Sequence, residues 1–218
     1  MPRVTRQQIP NLITVARLLL AAAFFAALNL YRYPDHHRGW AIAAIVLFVS
    51  AALTDALDGY LARRWNVVST FGRVMDPFVD KVLVLGAFVY LASPRFAVPD
   101  RIEADLFFTM ASGIYPWMVV VIIARELLVT AIRGVAEGLG VEFGAKQAGK
   151  MKMVLQSSAV PIIILVMVIA PPYEVNGTIW ICHVLAYATL IATVWSGLPY
   201  VTGLRAILRD QSDAGPTT

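Results

Sequence analysis

The 218-residue chain holds a single cysteine, Cys182, so no intramolecular disulfide is available and cysteine builds no metal site. Cys182 lies in an apolar run and is expected to pack as a small apolar side chain. Charge is scarce too. Asp, Glu, Lys and Arg make up 15% of the residues against 59% apolar, and the mean hydropathy is +0.69. That balance excludes an ordinary soluble domain, and the length leaves no room for several domains. The net charge of +4 is not accompanied by any nucleic-acid-binding motif. Basic residues that flank apolar runs report membrane orientation and anionic headgroups instead. No internal repeat and no soluble domain is found.

Long apolar runs are what the chain does have. They predict an all-α fold, a bundle of six transmembrane helices at about 9–31, 40–64, 72–91, 117–135, 149–170 and 178–208. One domain would cover residues 1–209, with a disordered tail at 210–218. The first run is too long for the core of a signal peptide and contains Arg17, so it reads as a retained span with a cytoplasmic N-terminus. Arg17 has two readings: it snorkels to the interface, or it faces the bundle and approaches a phosphate site. His36 and His37 belong to a solvated loop, and His183 on the sixth run reads as an interhelical hydrogen-bonding residue. The connection at 93–116 shows no chemistry, and its apolar patch Leu106 to Met110 is expected in the membrane interface. Gly197 and Pro199 are expected to break the sixth helix.

Four carboxylates interrupt two of these runs. Each would cost roughly 2.5–3.5 kcal/mol at the centre of a membrane-spanning helix, so something must compensate them. Asp55 and Asp58 stand at i, i+3, and Asp76 and Asp80 at i, i+4, so each pair shares one helix face. A short polar connection joins the two helices, which brings both pairs to one side of the membrane. Oxygen donors without a nearby His or Cys suit Mg2+ or Mn2+ rather than zinc. Gly59 and Ala62 leave room for a ligand beside the carboxylates, and Arg63 offers a planar fork for a phosphate. Room, metal and arginine together point to a pyrophosphate.

A second cluster, Arg125-Glu126 with Thr130 and Arg133, lies on the fourth run, and Lys146, Lys150 and Lys152 follow. Counting about 1.5 Å per residue, Arg125 and Asp80 differ in depth by only about 6 Å, within reach of an arginine side chain. Placing both termini in the cytoplasm puts most Lys and Arg there, in agreement with the positive-inside rule.

The pattern D-x2-D-G-x2-A-R-x8-G-x3-D-x3-D, carried by Asp55, Asp58, Gly59, Ala62, Arg63, Gly72, Asp76 and Asp80, resembles the signature of the CDP-alcohol phosphotransferase family without a departure. The resemblance implies transfer of a phosphatidyl group from CDP-diacylglycerol to an alcohol, with release of CMP. It implies that Asp55, Asp58, Asp76 and Asp80 hold one or two Mg2+ or Mn2+ ions, with Asp80 also the general base. Asp55, Gly59, Ala62, Arg63 and Gly72 would line the CDP site. Arg125, Glu126, Thr130, Ala131 and Arg133, with Gly149, Lys150, Lys152 and Gln156, resemble elements of the bacterial phosphatidylglycerolphosphate synthase branch, which uses sn-glycerol 3-phosphate. Met153 departs from the Thr usual there, and Gly134-Val135 from a bulkier acidic and aromatic pair. Arg125, Arg133, Lys150 and Lys152 would then bind the acceptor phosphate, in an inner-membrane protein whose site faces the cytoplasm and whose family is commonly homodimeric. Inositol phosphate is the alternative acceptor. A divalent-cation transporter is the alternative from another class, but the apolar stretches Ala41 to Val49 and Val82 to Val89 offer no polar path onward.

Overall fold

Small and apolar residues recur every three or four positions in each long run, and this spacing decides which face each helix buries. The computed structural model describes residues 8–31, 33–34, 37–65, 70–141, 147–170 and 176–213, without the side chains of 8–11, 56–65, 70–74, 76, 148, 176 and 206–213. Among the described residues, six helices of 22 to 38 residues form the fold: α1 Gln8–Leu30, α2 Arg38–Trp65, α3 Thr70–Leu91, α5 Pro116–Gly138, α6 Gln147–Ile169 and α7 Asn176–Asp213. A short helix, α4 Pro99–Glu103, lies in the connection between α3 and α5. No strand occurs among the described residues; one isolated bridge pairs Ala97 with Met110.

Four of the long helices, α1, α2, α6 and α7, are apolar enough over 18 or more residues to cross a membrane. The other two carry charges within their runs, Asp80 and Lys81 on α3 and Arg125, Glu126 and Arg133 on α5. Large apolar side chains such as Leu19, Val46, Val120, Leu165 and Trp195 are exposed on the outside. This is the arrangement of a protein solvated by lipid, so the chain is described as an integral membrane protein.

Lipid tails are as apolar as the helices, so burial alone does not drive helices together and close packing must do so. On α1 the buried stripe runs Thr14, Arg17, Ala21, Phe24, Leu28; on α2 it runs Ala41, Ala44, Phe48, Ala51. The alanines let the two backbones approach, and Phe24 meets Phe48 edge-on with ring centroids 5.4 Å apart. α1 packs on α2 and α3, α6 on α2 and α7, and α5 on α7.

α7 is unbroken, contrary to the expectation at Gly197 and Pro199, and it continues through Asp213, past the residue where the tail was expected to begin. Gly197 serves packing, because a Cβ there would lie 3.3 Å from Arg125 Cγ. Pro199 is accommodated inside the helix, and the Thr202 hydroxyl donates to the Leu198 and Pro199 carbonyls, each at 3.2 Å.

The connection before α5 is a packed cap. Phe96, Ala111, Ser112 and Ile114 are buried within it, and the Ser112 hydroxyl donates to the Leu91 carbonyl at 2.6 Å. The Tyr115 hydroxyl donates to His183 Nε2 at 3.1 Å while His183 Nδ1–H donates to the Ile179 carbonyl at 2.8 Å, which ties the cap to α7 as expected of His183. Leu106 and Phe107 are exposed, whereas Met110 is buried.

Gly113 sits where the cap touches α7. Its φ of +71° disfavours any side chain, and a Cβ would lie 2.7 Å from the Cys182 and His183 backbone. Gly113→Ala is therefore expected to cost about 2 kcal/mol or more in thermal unfolding of the detergent-solubilised protein. Gly134→Ala, with open space around it, should stay within about 0.5 kcal/mol of wild type or gain stability. Equal effects of the two substitutions would refute this docking role.

Candidate active site

Arg17 occupies a core position of the α1 stripe and is 0% exposed. A cation there demands anions, and they come from two other helices. Arg17 Nη1 lies 2.7 Å from Asp55 Oδ1 on α2 and 3.0 Å from Asp80 Oδ1 on α3. The α2 stripe that buries Ala44, Phe48 and Ala51 reaches Asp55 one turn later, so the same periodicity aims this carboxylate inward. Asp80 likewise precedes Leu83 and Ala87 on α3. Both carboxylates remain about one third exposed (32% and 31%), on the side away from the guanidinium. Among the described residues Arg17 Nε and Nη2 have no hydrogen-bond partner.

That exposed side opens into a cavity of about 490 Å3 between α2, α3, α5 and α6. Asp55, Asp80, Lys81, Glu126, Lys152 and Gln156 supply its polar wall, while Phe48, Leu83, Val84 and Val154 supply an apolar one. Pro77, on the same wall, has no N–H to give the α3 ladder, so the bond that position 77 would make to the backbone carbonyl of residue 73, one turn earlier, is missing.

A second charged group stands on α5 and α6. Glu126 Oε1 accepts from Arg125 Nη1 at 3.0 Å and from Lys152 Nζ in a short contact. Arg125 Nη2 donates to the Ser196 hydroxyl on α7 at 2.8 Å, and Gln156 Nε2 donates to Thr193 Oγ1 at 3.0 Å. Lys81 Nζ donates to Thr130 Oγ1 at 2.5 Å, and the Thr130 hydroxyl donates to the backbone carbonyl of Glu126.

Of the residues expected from the sequence, Asp55 and Asp80 come together at Arg17, and Lys152 lines the same cavity. Arg125 stands behind Glu126 and does not line it. Arg133 and Lys150 are exposed and line no part of it. Asp58, Gly59, Ala62 and Arg63 lie on α2, and Gly72 and Asp76 on α3, but their side chains fall outside the described residues, as does Lys146. The open question of Arg17 is decided in favour of the bundle interior. Lys81 and Glu126 were not among the expected site residues; the signal for each was a charge beside a motif residue, in a run otherwise apolar.

The donor set suits a hard divalent cation. Carboxylate oxygens from two helices already converge on one cationic nitrogen, and the chain's cysteine and the buried His183 lie apart, against the cap. Among the described residues no three potential ligands gather, with Asp58 and Asp76 outside that set.

The sequence profile of the CDP-alcohol phosphatidyltransferase family matches residues 7–195. A CDP-diacylglycerol–glycerol-3-phosphate 3-phosphatidyltransferase of Bacillus subtilis (strain 168) is 35% identical over 168 residues, 72% of this chain and 76% of the relative. A protein of the same name from Cereibacter sphaeroides is 35% identical over 161 residues, 72% of this chain and 63% of the relative. Its counterpart in Escherichia coli (strain K12) is 31% identical over 209 residues, 93% of this chain and 98% of the relative.

The shared nitrogen gives a test that does not depend on chemistry. Asp55→Asn or Asp80→Asn alone leaves Arg17 one carboxylate, whereas the double variant leaves a buried guanidinium with neither. In a double-mutant cycle read by unfolding in detergent, the double variant is expected to lose about 1 kcal/mol or more beyond the sum of the singles. Additivity would show that Arg17 does not rely on the pair.

Proposed function

The chain belongs to the CDP-alcohol phosphatidyltransferase family, and on that premise we propose that it transfers the phosphatidyl group of CDP-diacylglycerol to sn-glycerol 3-phosphate, giving phosphatidylglycerol phosphate and CMP. The observation that carries this reading is the cavity where Asp55 and Asp80 stand on one polar wall with Lys81 and Lys152. Carboxylates suit a metal-assisted phosphoryl transfer, and ammonium groups suit a phosphorylated acceptor bearing about −1.5 to −2 charges near neutral pH. The glycerol 3-phosphate named for the relatives favours that acceptor over inositol phosphate.

In the reaction, the acceptor hydroxyl oxygen attacks the phosphorus that bears the diacylglycerol. The hydroxyl proton passes to the Asp80 carboxylate, the bond from that phosphorus to the bridging oxygen breaks, and CMP leaves with that oxygen. Asp55, Asp58, Asp76 and Asp80 would hold one or two Mg2+ or Mn2+ ions, which supply charge neutralisation for the diphosphate and the leaving CMP. Arg17 keeps Asp55 and Asp80 at fixed separation from behind, so neither carboxylate must reorganise when the donor arrives. Gly59, Ala62, Arg63 and Gly72 line the CDP site in this reading. The apolar wall of Phe48, Leu83 and Val154 excludes water and accepts acyl chain.

All six long helices cross the membrane in this proposal, with both termini and the cavity on the cytoplasmic side of a bacterial inner membrane and two copies forming a homodimer. The distribution of Lys and Arg supports that orientation.

Purified protein with CDP-diacylglycerol and Mg2+ or Mn2+ is expected to release CMP with glycerol 3-phosphate and poorly with glycerol, and a chelator should abolish turnover. Asp80→Asn should lower kcat by about 10²-fold or more with CDP-diacylglycerol affinity retained. Comparable use of glycerol, or turnover in the presence of chelator, would overturn the acceptor and the metal assignments respectively.

A further inference from the structure

The charged side chains around the cavity pair off with one exception. Arg17 is held by Asp55 and Asp80, and Arg125 and Lys152 share Glu126. Lys81 has no acidic partner among the described residues. Among the described residues its ammonium touches only the neutral oxygen of Thr130, with no described partner for the other two of its three N–H donors. Thr130 is itself pinned to the Glu126 carbonyl at 2.7 Å, so the ammonium is anchored at a fixed point of the wall.

Lys81 follows Asp80 directly on α3, so the two side chains diverge by about 100° around the helix axis. Asp80 turns to Arg17 and Asp55, and Lys81 turns to α5; both line the cavity. A reacting group beside the Asp80 carboxylate therefore lies within the span of the next side chain. Lys152, the other ammonium on this wall, is committed to Glu126.

We propose that Lys81 is a catalytic residue: its uncompensated ammonium binds a phosphoryl oxygen in the cavity. Resting on the phosphatidyl-transfer reading, this assigns to Lys81 the negative charge that builds on phosphorus oxygens as the hydroxyl attacks and CMP departs. The same chemistry is offered by the donor's diphosphate and by the acceptor's phosphate monoester, and experiment separates the two.

Lys81→Gln keeps length and polarity but removes the charge, and Lys81→Arg restores the charge. CMP release by wild type and both variants gives kcat and each KM, and calorimetry in detergent micelles gives the affinities for CDP-diacylglycerol and glycerol 3-phosphate separately. Lys81→Gln is expected to lower kcat/KM about 10²-fold or more, with substantial recovery in Lys81→Arg and unchanged thermal unfolding. Weaker CDP-diacylglycerol binding places the contact on the diphosphate, weaker glycerol 3-phosphate binding places it on the acceptor, and a fall in kcat alone places it on the transferring group. The proposal is overturned if Lys81→Gln stays within threefold of wild type in all five quantities. It is equally overturned if the loss tracks unfolding and Lys81→Arg does not repair it, which would make the Thr130 contact a helix tie. Should wild type release no CMP, the reaction assignment fails, while the two affinities still test the contact.

Discussion

One guanidinium nitrogen shared by two carboxylates fixes the arrangement of the first three helices. Arg17 is fully buried in an apolar bundle, and an uncompensated charge there would be costly enough to expel the side chain or the helix. Asp55 and Asp80 remove that cost only if α1, α2 and α3 meet at one height and rotation. The converse also holds. Two carboxylates from different helices facing one cavity repel each other, and the guanidinium behind them offsets that repulsion. The pair is one third exposed, so its net contribution to stability is modest; its consequence is register.

The same device recurs on the other half of the bundle with the signs exchanged. There one carboxylate, Glu126, serves two cations, Arg125 and Lys152, and ties α5 to α6, while Arg125 continues to Ser196 on α7. Gly197 is part of this contact, since the arginine side chain passes where its Cβ would stand. Each half is close to electrically closed, so the cavity between them is walled by groups whose geometry is set before any ligand enters.

The sequence carried much of this because membrane helices obey two strict rules: their length is set by the bilayer and their buried face by a 3.6-residue period. The helices fall near their expected bounds, and Asp55 and Asp80 lie on the buried stripes that the alanines and phenylalanines of the same helices mark. Arg17 was ambiguous because period and depth alone do not tell a snorkelling arginine from a paired one; the anions that decide it lie 38 and 63 residues away. The partner of Lys152 was hidden for the same reason, 26 residues away, whereas that of Arg125 is the next residue. Both were read as free for a phosphate, but their shared carboxylate, Glu126, was counted only as a motif letter. The cap before α5 was read as a featureless connection since its order comes from isolated contacts, such as Ser112 to Leu91 and Tyr115 to His183, with no periodic pattern to announce them.

On α3 Asp80 and Lys81, and on α5 Glu126, turn toward the cavity, while Arg133 is exposed. Apolar side chains of α1, α2, α5, α6 and α7, such as Leu19, Val46, Val120, Leu165 and Trp195, give the outer surface its character. Thr130, Thr193 and Ser196 bond back to carbonyls of their own helices, so these hydroxyls meet the membrane interior already satisfied. Among the described residues, Asp55, Asp80, Lys81, Glu126, Lys152 and Gln156 gather on the cavity wall. A lipid substrate whose headgroup is charged and whose tails are not is matched there in both parts: the carboxylates and ammonium groups at the polar wall, and Phe48, Leu83 and Val154 beside them. Around the cavity, the charges of the described residues are either held by opposite charges inside the bundle or turned toward the cavity, while Arg133 and Lys150 stand exposed away from it.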